Sequence, residues 1–319
     1  MTSLPRTVPA TWYTSDKFIE ASREKIYNRG WHFVSTINAL SMHPELNDGL
    51  EDALQLNFVG NPFFGVCNVD DPYKATSVDL RYGVYEDVVR GCKTKEEKAA
   101  KIAELPTVNH VVTEGGLIFV CHEKTPAKSF KEYFGNELGQ FIDGKDFRSR
   151  SLRRRLVYEC DYNYLTFIDG YQECLHCQYT HPGFSKVYPF EFYKVDPYTN
   201  FCRHHCNPVG GSKDEGLFLY FFPSCTLNQY GGGMGIFRAN PVNGNKTRME
   251  FEYFFDGNDE EFEAYFKFAR QVALEDIWLC EAAQQNLVSG IYQQGVLHPS
   301  KEVGVVFYQS LIRDRIMAQ

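Results

Sequence analysis

The sequence predicts an α+β protein, and three observations carry that expectation. Short apolar stretches of strand length recur in both halves of the chain, at 54–59, 63–66, 78–85 and 117–120 and again at 190–195, 217–222, 235–239 and 248–255. In the last of these, Met249, Phe251 and Tyr253 alternate with charged residues, the period of a half-exposed antiparallel strand. Against these strands stands one long helical pattern over 259–291, with Phe262, Phe266, Ala269, Ala273, Cys280, Ala283 and Leu287 at alternating three- and four-residue steps.

Composition sets the class. A chain of 319 residues is long enough for one large domain or two modest ones, and an apolar content of 43% supports a substantial core. With 26 Phe and 20 Tyr, any pocket is expected to have aromatic walls. A net charge of −8 argues against nucleic acid or an anionic membrane as partner. Residues 1–20 lack the apolar run of a signal peptide, and no apolar stretch is long enough to span a bilayer, so the expected location is cytoplasmic. Ten cysteines, at 67, 92, 121, 160, 174, 177, 202, 206, 225 and 280, are dispersed through the chain. They are expected to be reduced and mostly buried as small apolar groups.

In order along the chain, Thr14-Ser15-Asp16 caps a helix over 17–29 whose apolar side is Phe18, Ile19, Ile26 and Tyr27, with Gly30 as its stop. Residues 31–34 read as a strand. The mixed-charge run 93–101 reads as a solvated surface helix. Residues 126–160 read as a helix followed by a basic connector from Arg148 to Arg155, suited to a solvated or subunit-facing surface or to a phosphate. Gly231-Gly232-Gly233 is a flexible turn without the spacing of a phosphate loop. Residues 303–307 read as a closing strand.

The densest set of coordinating side chains is Glu173-Cys174-Leu175-His176-Cys177-Gln178-Tyr179-Thr180-His181-Pro182-Gly183. On a straight helix His176 and His181 would project roughly 140° apart. A helix that distorts before Pro182, as proline favours at the residue preceding it, brings the rings together. Two imidazoles then need an anionic third ligand to complete the two-histidine, one-carboxylate face of non-haem iron(II) sites. Asp276 fills the one gap in the apolar stripe of the long helix, three after Ala273 and four before Cys280. A carboxylate on an inward face needs a compensating partner such as a metal; a helix rotated slightly would instead leave it solvated at the rim.

These segments resemble the α-subunits of Rieske-type oxygenases, in the branch of the choline and carnitine monooxygenases. The resemblance rests on Asn163-Tyr164-Leu165, Asp169-Gly170-Tyr171-Gln172-Glu173-Cys174-Leu175-His176-Cys177, His181-Pro182-Gly183, and the distant Glu275-Asp276 with Gln284. Trp12-Tyr13-Thr14-Ser15, Trp31 and Gly115-Gly116-Leu117-Ile118-Phe119-Val120 fit as well. It implies a helix-grip catalytic domain, an antiparallel sheet wrapped round a long C-terminal helix, over 126–319. A small β-rich Rieske-like domain over 41–125 and an N-terminal segment over 1–40 packed on the catalytic part complete the chain. It further implies His176, His181 and Asp276 as ligands of one mononuclear Fe(2+), with Glu173 as a relay to a neighbouring subunit's cluster or as an acceptor that orients His176.

One departure stands out. A Rieske [2Fe–2S] centre needs two Cys and two His. Here Cys67-Asn68-Val69-Asp70-Asp71-Pro72 and Asp79-Leu80-Arg81-Tyr82-Gly83 stand where those ligands belong, and no histidine occurs between His43 and His110. The expectation is a degenerate domain without a cluster. Cys174-x-His176 and Cys202-x-x-His205 spell the cluster pattern only formally, and Cys202, His204, His205 and Cys206 with Cys174 and Cys177 form an alternative zinc set. His110, His122 and His298 are read as structural.

The activity implied is O2-dependent hydroxylation, demethylation, desaturation or cyclisation of a small organic substrate, a small amine or N-methyl compound by the resemblance. Electrons come from a Rieske-bearing partner protein or reductase, or from the substrate itself. The assembly is a homotrimer or a heteromer with an intact paralogue. The competing readings are a non-catalytic or regulatory subunit of an oxygenase complex and a zinc-dependent hydrolase on the same three residues.

Overall fold

The structure, a computed structural model, describes residues 4–40, 54–66, 78–206 and 216–318. A 3-10 turn at Ala10–Thr14 leads into α1 (Asp16–Ser22), started by Ser15, whose Oγ accepts from the Phe18 amide at 3.2 Å, and prolonged by a wider π turn over Arg23–Tyr27. Then follow β1 (His32–Thr36), β2 (Leu54–Phe58), β3 (Asn61–Val66), β4 (Asp79–Tyr82), α2 (Tyr85–Val89) and α3 (Lys95–Ala103). Next come β5 (Asn109–Val112), β6 (Leu117–Cys121), α4 (Phe130–Phe134), α5 (Gly139–Ile142) and β7 (Ser151–Cys160). The segment that carries the histidines is α6 (Tyr164–Tyr171), α7 (Cys177–Thr180) and α8 (Pro182–Val187). The chain ends with β8 (Lys194–Pro197), β9 (Phe201–His205), β10 (Leu217–Phe221), β11 (Cys225–Tyr230), β12 (Gly233–Asn243), β13 (Lys246–Phe255), α9 (Asp259–Val288) and α10 (Val303–Met317).

The strands form three antiparallel sheets, ordered β1-β6-β5, β2-β3-β4 and β7-β13-β12-β11-β10-β9-β8. Gly231 (φ 58°) and Gly232 (φ 80°) turn β11 into β12, in left-handed conformations that a Cβ would strain. One face of the large sheet receives α9, which is held at its start by a reciprocal cap between Asn258 and Glu261. The buried face of α9 packs on β13, with Tyr253 edge-on to Phe266 at 5.0 Å and Phe255 stacked on Tyr265 at 5.5 Å.

The opposite face meets the β1-β6-β5 sheet, where Phe221 lies 4.8 Å from Phe33 and 5.3 Å from Phe119. A buried ionic cluster crosses the same interface. Arg238 contacts Glu250 at 3.0 Å and Glu252 at 3.1 Å, while Glu252 also accepts from Arg155 and Ser35, each at 2.6 Å. Among the described residues, no helix is long and apolar enough to cross a membrane.

Four sequence expectations are corrected. Residues 303–307 belong to the helix α10, not to a strand: Val305, Tyr308, Gln309 and Ile312 are its buried stripe, and the short β-branched run masks that spacing. The basic connector is the strand β7. Each of its arginines is answered within the chain, Arg154 by Glu263 at 2.6 Å and by the Phe266 ring at 4.2 Å, Arg155 by Glu252, and Arg153 by Asp259. The strand β13 is buried on both faces, because the Arg238 cluster compensates Glu250 and Glu252 where solvent was expected. Residues 190–192 form a 3-10 turn after Pro189, so strand β8 starts only at Lys194.

Candidate metal centre

Helix α6 starts where Asn163 caps the Leu165 amide at 3.0 Å, and it stops at Gln172. A short loop then places His176 just ahead of α7. That helix lasts one turn, because His181 precedes a proline and leaves the helical region (φ −115°, ψ 69°). Pro182 starts α8 at the position where its missing N–H costs nothing. The break turns the His181 ring back toward His176. It replaces the distorted continuous helix anticipated from sequence.

The third member arrives from α9. Asp276 sits beside the buried Ala273, Ile277 and Cys280. Gln284 locks that helix in register: its Oε1 accepts from the Asn163 amide at 3.1 Å and its Nε2 donates to the Tyr13 carbonyl at 2.8 Å. The motif glutamine therefore clamps α9 to the start of α6, the element that leads into the histidine loop.

The result is a small triangle of donor atoms. His176 Nε2 and His181 Nε2 are 3.2 Å apart, and Asp276 Oδ1 lies 3.0 Å from His181 Nε2 and 3.4 Å from His176 Nε2. Among the described residues this is the one group of three potential ligands within reach of a common ion. Ligands at right angles on an ion with bonds of about 2.1 Å are about 3.0 Å apart, and tetrahedral ones about 3.4 Å. The donor set fits a single divalent cation.

The outward nitrogens are held too. His176 Nδ1 donates to Glu173, and His181 Nδ1 donates to Glu275 Oε2 at 2.8 Å, while Gln271 steadies Glu275 at 2.9 Å. When the ring is neutral, as a metal ligand must be, each carboxylate keeps the proton on Nδ1 and leaves the Nε2 lone pair facing inward. Burial works against charging either ring. The contacts to Asp276 and Glu173 nevertheless hold His176 up at about 10, and those to Asp276 and Glu275 raise His181. Asp276, despite its burial, is lowered by the same two rings.

From this triangle opens a cavity of about 140 Å³ whose walls include Phe184, Phe218, Tyr230, Phe237, Tyr253 and Tyr265. Its polar groups are few. Asn228 is engaged by Tyr171 at 2.6 Å and Thr226 at 2.9 Å. His204 lines the cavity, bonds Tyr193 Oη through Nδ1 at 2.7 Å, and has a buried Nε2 with no protein partner. Burial lowers its pKa to about 3, so the ring is neutral.

Of the alternative zinc set, Cys174, Cys177, His204 and Cys206 line this same cavity, but the described residues form no second group of ligands within reach of one ion. Cys202 and His205 lie three apart on β9 and so point to opposite faces, and His205 pairs with Asp196 at 2.9 Å. Cys174 and Cys177 are joined in a disulfide, against the expectation of a fully reduced chain; the remaining described cysteines are free. Their two-residue spacing sets the Cα atoms 5.0 Å apart, within disulfide range. His122 meets Tyr82 at 2.9 Å, His110 bonds two backbone carbonyls, and His298 accepts from the Ser300 and Lys301 amides. Of the presumed cluster region, 67–72 lies outside the described residues, while Asp79–Tyr82 is the strand β4.

Comparison with known proteins gives this geometry a context. Residues 207–318 match the family described as the ring hydroxylating alpha subunit, catalytic domain. A solved quaternary ammonium Rieske monooxygenase, CntA in complex with inhibitor MMV12, superposes with a TM-score of 0.77 at 18% identity, covering 98% of this chain and 96% of that one. The fold is that of a Rieske oxygenase α-subunit. Naphthalene 1,2-dioxygenase with indole bound shares this α-subunit fold at a TM-score of 0.67 and 13% identity, over 98% and 92% of the two chains. In sequence the chain is similar to the chloroplastic choline monooxygenase of Arabidopsis thaliana, 24% identical over 337 residues and covering 91% of this chain and 78% of that protein. It is also similar to the carnitine monooxygenase oxygenase subunit of Acinetobacter baumannii, 21% identical over 356 residues, 96% and 94% of the respective lengths.

Sequence reasoning missed two features of the site. Glu275 was visible only as a motif letter, although its adjacency to Asp276 on a helix places it about 100° round the axis, on the His181 side. His204 stood out in the sequence only as a member of a zinc set, since the packing of β9 against Tyr171 and Tyr193 is what defines its place in the cavity.

Proposed function

We propose that the chain is a mononuclear non-haem iron(II) oxygenase that uses O2 to hydroxylate, demethylate or desaturate and cyclise a small organic substrate held in the aromatic cavity. The observation that carries this reading is the donor triangle of His176, His181 and Asp276, with edges of 3.0–3.4 Å and a carboxylate behind each imidazole. When bound there, iron(II) supplies O2 activation at the coordination positions the protein leaves open.

The residues do the rest. Glu173 and Glu275 fix both ring tautomers, and Asp276 supplies the anionic ligand. Glu173 acts here as the acceptor that orients His176. The aromatic walls exclude water and suit a methylated ammonium head through cation–π contact, in keeping with the choline and carnitine named for the relatives. A neutral His204 in that cavity adds no positive charge to repel such a head.

The domain reading belongs to the same proposal: a catalytic domain over 126–319, a segment over 1–40 packed on it, and a Rieske-like domain over 41–125 that has lost its cluster ligands. Electrons then enter from outside the chain, from a separate reductase or cluster-bearing protein, in a homotrimer or a heteromer with an intact paralogue. Iron, zinc and acid-labile sulfide measured on anaerobically purified protein, with an EPR spectrum of the reduced sample, test the proposal. One iron per chain without sulfide is the expected result. Two further irons with sulfide would show an intact cluster, and zinc alone would turn the reading towards hydrolysis.

A further inference from the structure

We infer that Cys174 and Cys177 form a redox-active dithiol that receives electrons from outside the chain and delivers them in pairs to O2 at the neighbouring site. The inference rests on the oxygenase reading above, and it answers the question that reading leaves open, how electrons reach the site without a cluster in the chain.

Three observations place the pair. The two cysteines bracket His176 in sequence, and both line the cavity that contains His176, His181 and Asp276. They are joined as a disulfide, the oxidised state of such a carrier, and the seven other described cysteines are free. Among those seven, only Cys206 also lines the cavity.

The backbone round the pair is pinned independently of the sulfurs. The Cys177 carbonyl accepts from the His181 amide at 2.9 Å and from Ser185 Oγ at 2.7 Å. The sulfurs therefore change state without releasing the loop that carries both histidines.

The electron count matches. Inserting one oxygen of O2 into a C–H bond requires two electrons and two protons beyond those of the substrate. A dithiol holds both. For a substrate RH, the balance is RH + O2 + dithiol giving ROH + H2O + disulfide. Two S–H bonds break and one S–S bond forms; one oxygen enters the C–O bond, and the other leaves as water with the thiol protons. Without substrate the same pair gives O2 + dithiol → H2O2 + disulfide. Both cysteines are buried and border the cavity, so a small external thiol that enters the cavity restores the pair by exchange, two thiols leaving as one external disulfide.

The test needs no knowledge of the substrate. The full chain is reduced with dithiothreitol, freed of it anaerobically, loaded with Fe(II) and mixed with one equivalent of O2. Samples are quenched with acid and iodoacetamide over time, and alkylation at Cys174 and Cys177 is read by peptide mass spectrometry beside peroxide release and iron content. The pair should close to a disulfide as O2 disappears, faster by on the order of tenfold or more than in His176→Ala or in metal-free wild type. Thiols that stay free while iron-loaded protein consumes O2, or a disulfide that forms equally fast without iron, would overturn the role of the dithiol and leave the oxygenase reading standing. Protein that takes up no iron would overturn that reading, and the dithiol role with it. Cys174→Ala and Cys177→Ser should each keep their iron and lose the stoichiometric peroxide; unchanged peroxide in both would also refute the pair.

Discussion

Glu275 accepts a hydrogen bond from His181 Nδ1 at 2.8 Å, and that bond decides which ring nitrogen faces Asp276. Two adjacent acids on α9 thus have different duties, one beside the inner nitrogen of His181 and one behind the outer. Replacing Glu275 with Ala should leave the fold intact and weaken iron binding about 10- to 100-fold, the usual cost of losing an acceptor behind a metal-bound imidazole. A competition titration against a coloured chelator measures it. Unchanged affinity would make Glu275 a surface residue in function.

The ligand assignment has a sharper test. His176→Ala or Asp276→Ala should abolish stoichiometric iron while far-UV circular dichroism stays as in the wild type, because both side chains line the cavity and do not fill the apolar core. Full iron retention in either variant refutes the triad.

Gln284 gives a prediction about stability. Gln284→Leu strands the buried Asn163 amide and Tyr13 carbonyl, each at a cost of about 1–3 kcal/mol. Urea denaturation should show a loss of about 2–5 kcal/mol, with Gln284→Glu, which keeps the acceptor for Asn163, falling between.

Two buried carboxylates couple stability to pH in opposite directions. Burial disfavours the charge on Glu252, but Arg238 and Arg155 hold it down at about 2, below its ordinary value of 4.5. Its contribution of about 3 kcal/mol is therefore complete above pH 4.5 and is lost as pH falls toward 2. Asp169 is raised by burial to about 6 although Tyr13, Tyr308 and Gln309 bond it, so the native state loses stability as pH rises from 3.8 through 6. Thermal unfolding of Glu252→Gln should flatten the acid limb. Asp169→Asn should flatten the slope between pH 4 and 6; unchanged slopes would disconnect these groups from stability.

Cys67→Ser and Cys92→Ser should leave the visible spectrum unchanged, as expected of a domain without a cluster. Loss of a brown iron–sulfur absorbance in either variant would show that the cluster is present.

Local spacing and chemistry in the sequence determined a large part of this protein. The three candidate ligands as a set are what the family resemblance implies, while the long helix, most strands of the large sheet and a distortion before Pro182 follow from periodicity, capping and proline geometry. These act within a few residues of one another. Tertiary structure decided the rest. Residues 303–307 read as a strand because five residues cannot reveal a helical stripe that continues to Ile312. Glu250 and Glu252 read as solvated because their partner Arg238 belongs to another strand and the covering Ser35 to another sheet. The approach of Asp276 to two histidines about a hundred residues away depends on Gln284 and Asn163 closing α9 onto α6. Long-range pairings of that kind fix a site to a few tenths of an ångström, and no local pattern encodes them.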